Sequence, residues 1–121
     1  MKMLLIAEDD QTLREILEDS FEKAGWRVVA VQDGNAALEA LRSHEFDLLL
    51  LDLLMPKKDG FAVLEEMKND PAISGVPVII LSNLDSEEDI KRGLKLGAKD
   101  FFVKSHHPIG EIIEKAKTFV L

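Results

Sequence analysis

Four short apolar runs each stop at a polar or charged side chain. Met3-Leu4-Leu5-Ile6-Ala7 stops at Glu8-Asp9-Asp10, Leu48-Leu49-Leu50-Leu51 at Asp52, Val78-Ile79-Ile80-Leu81 at Ser82, and Phe101-Phe102-Val103 at Lys104. Runs of this length without polar alternation read as strands buried on both faces, as in a parallel sheet covered by helices. In an open parallel sheet, ligands bind in the crevice outside the carboxyl ends of the strands. The four terminal groups therefore predict one acidic pocket that also holds a hydroxyl and a lysine.

Between these runs the apolar spacing becomes helical. Leu13, Ile16, Leu17, Phe21 and Ala24 recur on one face and Gly25 follows as a stop. Val28 to Val31 reads as a short strand, Asp33-Gly34-Asn35 as a turn, and Ala37, Leu38 and Leu41 as a helical face. Met55 to Gly60 is a loop before a helix marked by Phe61, Leu64 and Met67. Ser86 is placed to cap a helix with Glu87, Glu88 and Asp89 in its first turn; Ile90, Leu94 and Gly97 follow on one face. Ile109, Ile112, Ile113 and Ala116 line a closing helix. Five alternating βα units give an α/β fold with right-handed crossovers. Their number and length suit the flavodoxin-like (βα)5 doubly wound parallel sheet, strand order 2-1-3-4-5, although periodicity alone does not fix that order.

A length of 121 residues suits one domain, residues 1–121, with nothing after the last helix to build an output domain. No apolar run spans a bilayer and no signal peptide opens the chain. Cysteine is absent, which excludes disulfides and thiolate chemistry and fits a cytoplasmic location. The formal net charge of −8 opposes direct binding to nucleic acid and to anionic membranes. Clustered acids such as Glu8, Asp9 and Asp52 either hold a divalent cation or repel one another at a cost.

The stretch Asp52-Leu53-Leu54-Met55-Pro56-Lys57-Lys58-Asp59-Gly60 resembles the phospho-acceptor signature of response-regulator receiver domains, an Asp followed by Met-Pro and then Asp-Gly. Glu8-Asp9, Ser82 and Lys104 at three other strand ends complete the likeness, which covers essentially the whole chain. The resemblance implies a receiver domain of a two-component phosphorelay. Its task is signalling rather than metabolic turnover, so the chain is not expected to be an enzyme. A carboxylate nucleophile forms an aspartyl-phosphate. Asp52 is the implied phospho-acceptor, fed by a phosphohistidine on a sensor histidine kinase or phosphotransfer protein. Mg²⁺ is the implied cofactor, with Asp9, Asp52 and the Leu54 backbone carbonyl as ligands and Glu8 acting through water. Lys104 and Ser82 would contact the phosphoryl group. Ser82 and Phe101 would form the switch, the ring turning inward as the serine moves. The surface of the fourth helix, fifth strand and fifth helix would then meet a downstream protein target.

Several neighbours have plainer readings. Asp10 is a helix cap, Asp59-Gly60 a turn and helix start, and Trp26 a packing residue. His44 is a solvated helix end, and His106-His107 lack a third ligand and read as exposed loop residues. Three features depart from the family. Ser105 stands where proline is usual, which predicts a different backbone course after Lys104. Asn83 stands where a small residue is usual. Leu54 and Leu84, two residues after Asp52 and Ser82, are apolar and offer water no partner, which predicts slow self-dephosphorylation. Three rivals remain at this point: a pseudo-receiver scaffold that binds partners without phosphorylation, a flavodoxin-like redox protein, and an Asp-nucleophile phosphatase. The acids after the first strand would repel a cofactor phosphate, against the second. The third generally carries its nucleophile after the first strand with another Asp two residues on, which Glu8-Asp9-Asp10 does not match.

Overall fold

The computed structural model describes residues 1–120; Leu121, the last residue of the expected domain span, lies outside them. Ten elements alternate along the chain: β1 (Met3–Ala7), α1 (Gln11–Lys23), β2 (Arg27–Val31), α2 (Gly34–Ser43), β3 (Leu48–Leu51), α3 (Gly60–Lys68), β4 (Val78–Ser82), α4 (Glu87–Lys95), β5 (Asp100–Val103) and α5 (Ile109–Phe119). The strands form one parallel sheet in the order β2-β1-β3-β4-β5, the flavodoxin-like order expected. β3 sits at the centre, in register with β1 (Leu4 beside Leu48) and with β4 (Leu49 beside Val78).

The all-apolar strands are explained by cover on both sides. Successive strand residues point to opposite faces. Leu4, Ile6, Leu48 and Leu50 pack with Leu17 and Phe21 of α1 and with Ile112 and Ala116 of α5. Leu5, Leu49 and Leu51 pack with Leu38 and Leu41 of α2 and with Leu64 and Met67 of α3. Each fully buried leucine contributes about 2 kcal/mol of burial free energy, so neither face of β3 tolerates a polar residue until the strand ends at Asp52.

Helix starts follow the chemistry expected of them. Asp10, Asp59 and Ser86 are N-caps whose side chains accept from the backbone N–H three residues on. Trp26 is buried edge-on against Phe21. Other expectations need correction. Asp33-Gly34-Asn35 is not a free turn: buried Asp33 caps α2, which begins at Gly34. Turn and N-cap chemistry use the same side chains, so the two look alike in sequence. Ile16 (46% exposed) and Leu94 (43% exposed) lie off the buried faces assigned to them. Gly93 is the buried residue of α4, and Gly97 lies beyond the end of that helix. Among the described residues no helix is long and apolar enough to cross a membrane.

Candidate functional site

The carboxyl ends of β1, β3, β4 and β5 meet, and the groups that end them converge. The Lys104 ammonium lies 2.8 Å from Glu8 Oε1 and 3.0 Å from Asp52 Oδ2. Carboxylate oxygens of Glu8, Asp9 and Asp52 lie within 4.8 Å of one another. Ser82 ends β4 fully buried, and its carbonyl accepts from the Lys104 N–H at 2.9 Å. The structure thus brings together Glu8, Asp9, Asp52 and Lys104 and sets Ser82 on the adjoining strand end. Ser105 does not displace the lysine: the backbone after Lys104 is trans, and Nζ still reaches both carboxylates.

Local structure fixes most of these side chains. Glu8 donates its N–H to Val31 at 3.0 Å, and its Oε2 accepts from the Asp10 N–H at 3.1 Å. The Asp52 N–H bonds to Ala7 at 3.0 Å, and its Oδ1 accepts from the Leu54 N–H at 3.2 Å. α3 begins directly against this backbone, since a Cβ on Gly60 would lie 2.4 Å from the Asp52 carbonyl. The intervening loop is tied at Lys57, which pairs with Asp33 at 3.7 Å, and at Lys58, which contacts Glu66. Lys57 holds φ of 66°, a left-handed conformation costing a non-glycine residue roughly 1 kcal/mol. The loop therefore keeps its shape at a local cost, which is common beside functional sites.

Other expected residues are placed as follows. Leu54 is 53% exposed at the rim, whereas Leu84 is partly buried. The Ser82 hydroxyl accepts weakly from the Leu84 N–H at 3.4 Å. Phe101 is partly buried against the α2–α3 core, and Asn83 is exposed. His44 and His106 are exposed; His107 packs edge-on against Phe102 and bonds to Glu111, so it is less free than expected. A cavity of about 720 Å³ lies at the opposite end of the sheet, lined by Met3, Arg42, Phe46 and Asp47 among others, away from this site. Sequence reasoning missed Arg14, whose guanidinium donates to the carbonyls of Glu8 and Asp9. The available signal was a basic residue near the positive end of a helix, where a cation is disfavoured.

Three acids face one ammonium. Burial, with Asp52 close by, raises the Glu8 carboxyl from 4.5 to about 7 despite the opposing hydrogen bond from Lys104. Burial works against the Lys104 charge, but hydrogen bonds to Glu8 and Asp52 outweigh it and raise its pKa. For Glu8 the folded state binds a proton more tightly than the unfolded chain. Metal-free stability should therefore fall as pH rises from about 4.5 to about 7, by roughly 2–3 kcal/mol. The Lys104 contribution has the same sense but is lost only as pH rises above its ordinary 10.5, outside this window. Urea unfolding in chelator across this range checks the slope, which Glu8→Gln should flatten. A surplus of oxygen donors with few cationic partners is the donor set Mg²⁺ takes, so the residues present fit that ion.

The fold, with an acidic cluster and a lysine at the strand ends, is that of a receiver domain, and the comparisons agree. A family model described as the response regulator receiver domain matches residues 4–117, and the chain belongs to that family. It is 42% identical over 101 residues to the transcriptional activator protein PfeR of Pseudomonas aeruginosa, covering 84% of this chain and 32% of PfeR. The receiver domain of the Francisella response regulator 1452 superposes with a TM-score of 0.92 at 31% identity, covering 98% of this chain and 96% of that one. The phosphorylated cyanobacterial phytochrome response regulator RcpA superposes with a TM-score of 0.83 at 31% identity, covering 97% and 89%. The chain spans less than half the length of the curated relatives it matches.

Proposed function

We propose that Asp52 accepts a phosphoryl group from a phosphohistidine on a sensor histidine kinase or phosphotransfer protein. The observation that carries this reading is the buried Asp52 carboxylate at the end of the central strand, bridged by Lys104 to Glu8 with Asp9 alongside. In the transfer, an Asp52 carboxylate oxygen attacks phosphorus and the phosphorus–nitrogen bond breaks. The electron pair leaves with the imidazole, which takes up a proton. Asp9, Asp52 and the Leu54 carbonyl would hold Mg²⁺, with Glu8 acting through a water. When bound, that ion offsets the carboxylate charge that would otherwise repel the incoming group. The Lys104 ammonium then moves its pairing toward the phosphoryl oxygens, and the Ser82 hydroxyl donates to one of them.

The added charge biases two conformations through their different contacts with Ser82 and Phe101. The readout surface is α4, β5 and α5, offered to a downstream protein in the cytoplasm rather than directly to nucleic acid or membrane. The test is reaction with acetyl phosphate and Mg²⁺ followed by intact-mass measurement. A gain of one phosphoryl group supports the reading; no gain favours a pseudo-receiver scaffold, the alternative that Ser105 and Asn83 suggest.

Once formed, the phosphoryl group should be lost slowly, because exposed Leu54 at the rim offers attacking water no hydrogen-bonding partner. Replacing Leu54 with Asn and Leu84 with Glu should speed decay by roughly tenfold, the scale of a modest general-base contribution. The half-life of the phosphoprotein in Mg²⁺ measures it, and an unchanged half-life counts against this role for the two positions.

A further inference from the structure

Arg14 has no part in the transfer outlined above, yet it sits on the site. It lies one turn into α1, near the helix end where negative charge is favoured, and no acid occupies the first turn. It forms no salt bridge among the described residues. Its Nη1 instead donates to the backbone carbonyl of Glu8 at 2.9 Å and to that of Asp9 at 3.4 Å. The three acids differ in how they are held. The Glu8 carboxylate is tied by Lys104 and the Asp10 N–H, and that of Asp52 by Lys104 and the Leu54 N–H. Asp9 is exposed, and among the described residues no hydrogen bond or ion pair fixes its carboxylate. Its direction rests on its backbone, and Arg14 grips that backbone.

We propose that Arg14 is a positioning residue for divalent-cation binding, clamping the Glu8 and Asp9 carbonyls so that the Asp9 carboxylate stays aimed at the Glu8–Asp52 pair. This deepens the reading of the acidic cluster as a Mg²⁺ site and rests on it. A purely Coulombic role gives the opposite expectation. An arginine beside a cation site repels the ion, so its removal would tighten binding. A clamp that orients a ligand loosens binding when removed, commonly by about tenfold or more. The two roles differ in sign.

The experiment is calorimetric titration of Mg²⁺ into the unphosphorylated, metal-free full chain. Arg14→Ala should weaken Mg²⁺ binding about tenfold. Arg14→Lys keeps an ammonium able to donate to the same carbonyls and should return affinity to within about threefold of wild type. Urea midpoints in chelator should stay close to wild type for both, which separates positioning from general destabilisation; Arg14→Gln serves if the alanine variant does not fold. Equal or tighter binding by Arg14→Ala overturns the proposal, as does a lysine variant no better than alanine. A wild-type chain that binds no Mg²⁺ overturns both the clamp and the cation site. Arginine-dependent binding supports the clamp even in a chain that takes up no phosphoryl group.

Discussion

Lys104→Met is expected to lower the stability of the metal-free protein by about 3 kcal/mol. The ammonium is the one cation within hydrogen-bond reach of both the Glu8 and Asp52 carboxylates among the described residues, and those two side chains are 2% and 4% exposed. Methionine fills the same space but leaves two buried acids facing each other. Breaking a buried pair by removing one partner costs more than the pair is worth, because the remaining charge is neither solvated nor compensated. One of the acids should then take up a proton, so the loss should be larger at pH 8 than at pH 5. Mg²⁺ should restore much of it by supplying positive charge to the same oxygens. Urea unfolding with chelator and then with Mg²⁺ measures both effects. A loss below about 0.5 kcal/mol, the scale of an exposed pair, would mean that solvent already screens the cluster.

Asp52→Asn should act in the other direction and raise metal-free stability by about 1–2 kcal/mol. Asparagine keeps the shape and the Oδ1 acceptor for the Leu54 N–H. It removes one of three clustered carboxylates, and with it the repulsion that helps push Glu8 up. Lys104 loses one partner but retains Glu8 at 2.8 Å. The gain should vanish when Mg²⁺ is added, because on the proposed reading the wild type would recover by binding the ion and the variant would bind it weakly. A variant less stable than wild type in chelator would show that the lysine contact outweighs the repulsion.

Both predictions follow from a site partly legible in the sequence. The leucine run from Leu48 to Leu51 announces a strand buried on both faces, and the abrupt change at Asp52 marks its end. The N-caps Asp10, Asp59 and Ser86 announce themselves because capping is local chemistry. Lys104 and Asp52 are 52 positions apart, and their 3.0 Å contact exists only once β4 and β5 are laid beside β3. Periodicity did not supply that strand order; the motif resemblance did. Ile16 and Leu94 were misread because helical spacing identifies an apolar stripe, not the width of the face a neighbour covers. A basic residue near the positive end of α1 marks Arg14 as unusual, but its partners are backbone carbonyls, which the residue pattern does not name. The strain at Lys57 was equally silent, since nothing in a Pro-Lys-Lys-Asp loop demands a left-handed lysine.

On the proposed reading, the same cluster would link stability to signalling. A site that is electrostatically uncomfortable without a cation is one that a cation, and then a phosphoryl group, reorganises. On the proposed reading, the mutual repulsion of Glu8, Asp9 and Asp52 is what Mg²⁺ would relieve, leaving Asp52 free to react.

The most direct measurement is intact mass after reaction with acetyl phosphate, for wild type and Asp52→Asn side by side, in Mg²⁺ and in chelator. Wild type should gain one phosphoryl group in Mg²⁺ and almost none in chelator, and the variant should gain none in either. Phosphoryl uptake by the Asp52→Asn variant, or a wild type that stays at its unmodified mass in Mg²⁺, would contradict the assignment of Asp52.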